Sequence, residues 1–448
     1  MKELLFSNVR CFSTFQRVPL APLTILVGEN NTGKTTFLGM MKIAYRIPFS
    51  YEHINFNEPP FNLGNYMDIA HREEKKSAKS FKIGFSVGFE KKFHEGKGKI
   101  GDTIDIIGTF KEKDNDPILK EVLISCQPYV IKYIHTRKAN RIEYMAPSGK
   151  EILQFDGQYG ELISENMPDR MAFNQFMGGL QAIIQLTQLI QEEQKRKGKA
   201  AKRKLSKDDY SVIFGIILSI TNLKLPISFA PIRTKPSRDY VYISEDYNVE
   251  GTHIPFKLAA LTLSNPKRFQ EIRKKVRQFG KACGLFLDIE LESFKKSKYA
   301  PFRILIKIGK GKYNIMDMGY GISQILPILV EISSRDMGMF LIQQPEIHLH
   351  PRAQAELGTY LSKLINPNRQ YIVETHSDYL IDRIRIEVRK GILKPEDIII
   401  LFFDWGKENE IKIYPIPVDK MGNLIDAPLS YRKFFLDEQK NLLFGGKN

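Results

Sequence analysis

Cysteine is scarce in this chain of 448 residues: Cys11, Cys126 and Cys283 are scattered, odd in number and form no Cys-x-x-Cys pair. A disulfide framework and a thiolate zinc site are both excluded, and a reducing, cytoplasmic setting is expected. Long hydrophobic runs are missing as well. The most apolar segment, residues 212–220, is about half the length of a membrane span and reads as a core helix, so no membrane role is expected. The opening Met1-Lys2-Glu3-Leu4-Leu5-Phe6 is too short and too mixed for a signal peptide. No long heptad pattern exists, which excludes an extended coiled-coil arm. Acid is in deficit too. With 67 Lys and Arg against 51 Asp and Glu, the formal net charge is +16. Such a balance suits a polyanionic partner, DNA or RNA, or simple solubility.

What the chain does carry is a loop, Gly28-Glu29-Asn30-Asn31-Thr32-Gly33-Lys34-Thr35-Thr36, between an apolar run at 23–27 and a helix-like stretch from Phe37. Strand, glycine loop and helix in that order make a phosphate-binding loop. Its glycines allow a tight wrap that aims backbone N–H groups at phosphate oxygens, and the helix dipole adds to the attraction. Gly28, Asn30, Asn31, Gly33, Lys34, Thr35 and Thr36 are therefore expected to bind ATP. Lys34 would reach the β- and γ-phosphates, and the Thr35 hydroxyl would coordinate magnesium.

Around this loop the pattern divides the chain. Strands are expected at 3–8, 14–20, 81–89, 103–110 and 121–126, with loop from Pro48 to His71. Residues 173–190 and 261–283 show helical spacing, and between them runs the basic series Lys195, Arg196, Lys197, Lys202, Arg203 and Lys204. That series suits phosphate contacts or a solvated loop. From Phe302 short apolar runs at 302–308, 339–342, 371–373 and 398–402 alternate with helical patterns at 322–334, 351–366 and 378–389. Alternation of this kind implies a mostly parallel sheet covered on both faces, which the phosphate-loop strand should join. The expected fold is α/β. It has an ATPase head with a mostly parallel sheet flanked by helices and an N-terminal antiparallel β portion, divided into the N-terminal part of the head with the phosphate loop (1–130), a mostly helical insertion with the basic series (131–300) and the C-terminal part of the head (301–448).

Three further motifs stand where a phosphate loop would want partners: Gln343-Gln344-Pro345-Glu346-Ile347-His348-Leu349-His350, Glu374-Thr375-His376-Ser377, and Gly319-Tyr320-Gly321-Ile322-Ser323-Gln324. Their order resembles the ABC-type ATPases that include SMC, RecF and OLD proteins. Within that superclass the chain resembles the PtuA-like ATPases of the Septu anti-phage systems. The stretch 62–68, Phe229-Ala-Pro-Ile-Arg233 and Phe434-Phe-Leu-Asp437 also look like that group.

The resemblance implies roles for each motif. A magnesium carboxylate and a water-polarising glutamate would stand at positions occupied here by Gln343 and Gln344. An amide accepts a hydrogen bond from water but is neither a charge nor a base. Glu346 is then the remaining acid of that motif, either a substitute base or a structural residue. His376 fits the switch histidine that senses the γ-phosphate. His348 and His350 alternate as in a metal site, but in the family they fall in the loop crossing to an opposing head. Gly319, Gly321, Ser323 and Gln324 would cap ATP bound to another head, implying a head-to-head dimer or larger homo-oligomer. The resemblance further implies an HNH endonuclease subunit as partner. From the two glutamines, Gln343 and Gln344, slow or absent hydrolysis is expected. The alternative is a DNA-repair ATPase of the RecF or SMC kind acting directly on DNA.

Overall fold

The computed structural model describes residues 1–50, 53–73, 76–89, 100–135, 139–146, 149–156, 207–241, 246–294, 300–406 and 410–431, with positions 433, 437, 440, 441 and 443. Two compact units emerge, one of Met1–Leu20 with Thr36–Leu223, the other of Ala21–Thr35 with Lys224–Asn448.

The first unit is built on an antiparallel sheet of eight strands. Their spatial order is Gly149–Asp156, Ala139–Ala146, Tyr129–His135, Asp116–Cys126, Thr103–Lys113, Phe81–Gly88, Glu3–Ser7 and Gln16–Pro19. Strand Thr103–Lys113 shows why one face turns inward: Ile104, Ile106, Gly108 and Phe110 are buried, while Asp105, Ile107 and Thr109 between them stay half-buried. Such period-two alternation is what an antiparallel sheet with one wet face requires. On the dry face Phe81 stacks on Phe110 at 5.1 Å, and Phe56 meets both rings edge-on. Gly84 is required by close approach, because a Cβ there would stand 2.3 Å from the Ile106 carbonyl oxygen. Helix Lys34–Arg46, which the phosphate loop opens, buries Phe37, Leu38, Met40, Met41 and Ala44, and Phe37 meets Phe6 edge-on at 6.2 Å.

The second unit holds a six-stranded sheet in the order Pro226–Phe229, Gly338–Gln343, Arg369–Glu374, Leu23–Gly28, Ile398–Trp405 and Ile411–Pro417. The first five run parallel and the last is an antiparallel edge carrying Pro415 and Pro417. Strands Gly338–Gln343 and Arg369–Glu374 are buried at every residue, as expected where helices cover both faces. Those helices are Ile254–Ser264, Pro266–Cys283, Tyr320–Ser334, Pro351–Lys363 and Asp378–Arg389. Ile25, Val27, Ile342, Val373, Leu357 and Ile400 belong to one core.

The expected fold class is what forms: an α/β head with a mostly parallel sheet, the phosphate-loop strand within it, and an antiparallel N-terminal sheet. Three details differ from the sequence reading. Strands Tyr129–His135, Ala139–Ala146 and Gly149–Asp156 extend the antiparallel sheet into the stretch expected to be helical, because successive hairpins let each strand pair with its chain neighbour. Helices do follow, at Lys207–Thr221, Ile254–Ser264 and Pro266–Cys283. Strand Pro226–Phe229, from the same stretch, pairs in parallel with Gly338–Gln343 inside the core sheet. Phe302–Ile308 alternates between buried and half-buried and joins a separate antiparallel meander with Asp288–Ser293 and Gly311–Asn314. The helical pattern at 173–190 and the basic series at 195–204 lie outside the described residues. No helix among the described residues is long and apolar enough to cross a membrane.

Glu331, fully buried on helix Tyr320–Ser334, is this unit's most demanding charge. Its carboxylate meets Lys257 Nζ at 2.6 Å, His253 Nε2 at 3.2 Å and the Arg335 guanidinium. Burial acts to raise its pKa, but the His253 bond and the charges of Lys257 and Arg335 outweigh that and pull it down to about 2. A depressed folded-state pKa contributes stability above the ordinary carboxylate range, and that stability is lost as pH falls from about 4.5 toward 2. Glu331→Gln should therefore lower stability near neutral pH by about 3 kcal/mol. In urea unfolding the gap from wild type should narrow as pH falls through that window.

Candidate functional site

Parallel register brings four motifs to one edge of the core sheet. Phe229 lies opposite Ile342, Gln343 opposite Glu374, Glu374 opposite Leu26, and Phe403 opposite Gly28. All are at or near the carboxyl ends of their strands, where ligands of open α/β sheets bind. From that edge the chain turns into the phosphate loop, the loop that holds Arg233, the Gln344–His350 loop and the Thr375–Ser377 turn.

The phosphate loop has the backbone its sequence demands. Gly28 has φ +142° and Gly33 +86°, and a Cβ on Gly28 would stand 2.2 Å from the Phe403 carbonyl oxygen, so only glycine fits. Asn31 takes the left-handed conformation at φ 65°, which asparagine tolerates. Thr32 ties the loop by donating to the Glu29 carbonyl at 2.8 Å. Lys34 Nζ donates to the carbonyls of Gly28 at 2.9 Å and Glu29 at 2.5 Å, lying along the loop whose phosphate it would hold. Burial lowers its pKa, opposed by Glu374 and Glu29.

Thr35 stands in the first turn of the helix, and its hydroxyl lies 3.1 Å from both Glu374 carboxylate oxygens. Burial raises the Glu374 pKa against the opposing charge of Lys34 and hydrogen bonds from the Thr35 and Gln343 side chains. Gln343, expected at the magnesium position, thus donates its amide to Glu374, while its own Oε1 is buried without a hydrogen-bond partner. A hydroxyl, a carboxylate and an unpaired amide oxygen are the hard oxygen donors that magnesium takes, so the residues fit the ion. Thr36 faces elsewhere, its hydroxyl accepting from Arg10 Nη1 at 2.9 Å.

Arg233, buried, forks between backbone carbonyls: Nη1 donates to Gln324 O and Nη2 to Gln343 O, each at 3.2 Å. Burial lowers its pKa to about 10, and the Glu346 charge opposes that. Glu346 Oε1 accepts from the His376 backbone N–H at 2.7 Å and its carboxylate also meets Thr375, so this acid holds the turn that presents His376. Its Oε2, like Gln343 Oε1, is buried without a hydrogen-bond partner. Burial pushes the Glu346 pKa up. His376 is exposed, and partial burial with the nearby Lys34 charge pushes its imidazole below the usual range. Gln344 takes φ 41° and is anchored by its N–H to the Glu374 carbonyl at 2.8 Å.

The expected signature residues divide. Gly319 caps helix Tyr320–Ser334 with open space around it, and Tyr320 is 53% exposed. Gly321 is required because a Cβ would stand 2.8 Å from the His348 carbonyl oxygen. Ser323 is buried and donates back to the Tyr320 carbonyl at 3.0 Å. Gln324 accepts from Arg233 N at 2.8 Å and donates to Arg233 O at 3.0 Å. Its amide is spent on this clamp and does not reach outward. His348 lies against Tyr320 at 5.6 Å, whereas His350 caps helix Pro351–Lys363 through the Arg352 N–H. Among the described residues no group of three or more His, Cys, Asp and Glu is arranged to hold a metal. Glu374 and Arg233, inside motifs noted above, received no role from sequence. Their importance depends on which strands lie side by side, which one sequence does not display.

The profile of a family described as "AAA ATPase domain" matches residues 1–381. Among solved structures, the chain is similar at 10% identity to an Smc head bound to the C-terminal winged-helix domain of ScpA, covering 94% of this chain and 98% of that one with TM-score 0.43. It is similar, again at 10% identity, to an Smc head with an extended coiled coil bound to the C-terminal domain of ScpA from Pyrococcus furiosus, with 98% and 99% covered and TM-score 0.41. An SMC head domain from Thermotoga maritima matches at 10% identity, 93% and 98% coverage and TM-score 0.35. No match is found among curated proteins.

Removing the Arg233 fork leaves Glu346 buried without its counter-charge. Arg233→Met should lower stability by about 3 kcal/mol in chemical unfolding. Arg233→Lys should recover less than half of that, since one ammonium cannot span both carbonyls as the planar guanidinium does.

Proposed function

This chain belongs to the AAA ATPase domain family, and from that premise we propose that it is an ABC-type ATP-binding regulator controlling a separate nuclease effector in anti-phage defence. ATP and magnesium bind at the phosphate loop, and nucleotide draws two heads together. The observation that carries the binding reading is the phosphate loop at the carboxyl edge of the parallel sheet, with Lys34 and Thr35 at the helix start and a buried carboxylate on the Thr35 hydroxyl. Magnesium would be held by Thr35 with oxygens beside it, and when bound it would screen the charge of the phosphates.

Hydrolysis is slow on this reading. The last residue of strand Gly338–Gln343 and the residue after it are amides, and the motif's acid, Glu346, is engaged with Thr375 and the His376 backbone. Head pairing draws support from the uncovered start of helix Tyr320–Ser334, where Gly319 is open and Tyr320 and His348 form an exposed aromatic pair. The HNH nuclease partner and the defence role come from the resemblance of the motifs to PtuA-like ATPases, an analogy of family. The second reading, an ATPase acting directly on DNA, is favoured by the net charge of +16 and by Lys267, Lys274, Arg277 and Lys281 exposed on helix Pro266–Cys283.

Purified protein should bind ATP, turn it over well below roughly 1 per second, and gain mass in solution when ATP is added. Lys34→Ala should weaken ATP binding at least about tenfold and abolish the mass gain. Brisk, DNA-stimulated turnover without a change of mass would displace this reading in favour of the second.

A further inference from the structure

We propose that Glu374 carries the magnesium-binding carboxylate of this site, one strand over from the position the motif order assigns to it, and that Gln343 orients it. The proposal rests on the ATP-binding reading above. The position at the end of strand Gly338–Gln343 that would bring a negative charge to magnesium brings an amide instead. Its register partner on the adjacent parallel strand is Glu374, also a strand's last residue. The missing charge has an immediate neighbour.

Geometry places that neighbour on the metal side of the loop. Both Glu374 oxygens lie 3.1 Å from Thr35 Oγ1, the hydroxyl that follows the phosphate-loop lysine. A magnesium ion held by such a hydroxyl and a phosphate oxygen takes one or two carboxylates directly or through its waters. Glu374 is 4% exposed, so its charge is not diluted by solvent. Its backbone carbonyl accepts from Gln344 N, so the backbone pairing at this point does not depend on the carboxylate. Gln343 holds it in place, donating its N–H to the carboxylate while its own Oε1 has no partner. An acid at both positions would set two carboxylates side by side in a buried register pair, and the amide avoids that repulsion.

The test compares ATP affinity in magnesium chloride and in EDTA for wild type, Glu374→Gln, and the exchange variant Gln343→Glu with Glu374→Gln. Wild type should bind ATP about tenfold or more tighter with magnesium. Glu374→Gln should hold or tighten metal-free ATP binding, since a negative charge near the phosphates is gone, and should bring the ratio within about twofold. The exchange variant should restore most of the ratio. Bound manganese, read by electron paramagnetic resonance with ATP present, should be lost and regained in parallel. The proposal is overturned by an unchanged ratio in Glu374→Gln, by equal loss of metal-free and metal-bound affinity, or by an exchange variant that stays blind to metal. Wild type that binds no ATP under either condition would instead remove the reading beneath it.

Discussion

Register between Leu23–Gly28 and Arg369–Glu374 is the constraint on which the rest depends. The Thr35 to Glu374 contact joins residues 339 positions apart, and only a parallel pairing that sets Glu374 opposite Leu26 delivers it. A slip of one residue would turn every side chain of the strand to the other face. Burial on both faces forbids that slip, because Tyr371, Ile372 and Val373 are each fully enclosed. Core packing thus fixes the geometry of the site.

The same edge confines four ionisable groups, Lys34, Arg233, Glu346 and Glu374, all at 8% exposure or less. Isolated charges in such places are costly, and these coexist because each cation has an anion in reach: Lys34 with Glu374, Arg233 with Glu346. Arg233 extends the arrangement, its fork tying the first turn of helix Tyr320–Ser334 to the end of strand Gly338–Gln343. A continuous series of bonds therefore runs from Gln324 through Arg233, Gln343 and Glu374 to Thr35. The phosphate loop and the start of helix Tyr320–Ser334 are thus held by one set of side chains.

Elements whose physics is local were legible in sequence. The phosphate loop announces itself through glycine spacing between an apolar run and a helix, and the runs at 339–342, 371–373 and 398–402 are strands because they are apolar throughout. Pro226–Phe229 was not legible: four residues beside a helix carry no periodicity, and their strand state comes from the partner at Gly338–Gln343. Strands Ala139–Ala146 and Gly149–Asp156 mix charged and apolar residues, so pairing rather than composition decides them. Glu374 and Arg233 were readable as letters of motifs but not as parts of a site, since their partners lie about a hundred residues or more away.

The antiparallel strand Ile411–Pro417 at the rim of the core sheet has a consequence for behaviour at high concentration. Pro415 and Pro417 sit on alternate positions, opposite Leu401 and Ile399. Residues two apart point their backbone nitrogens the same way, and here that way is outward, since proline cannot serve the ladder with Ile398–Trp405. Two donors that a foreign strand would need are thereby erased from this rim. Recruitment of another chain by strand addition, the ordinary route from an open sheet to fibrils, is blunted on this side. Association through this rim is left to contacts made by side chains and loops.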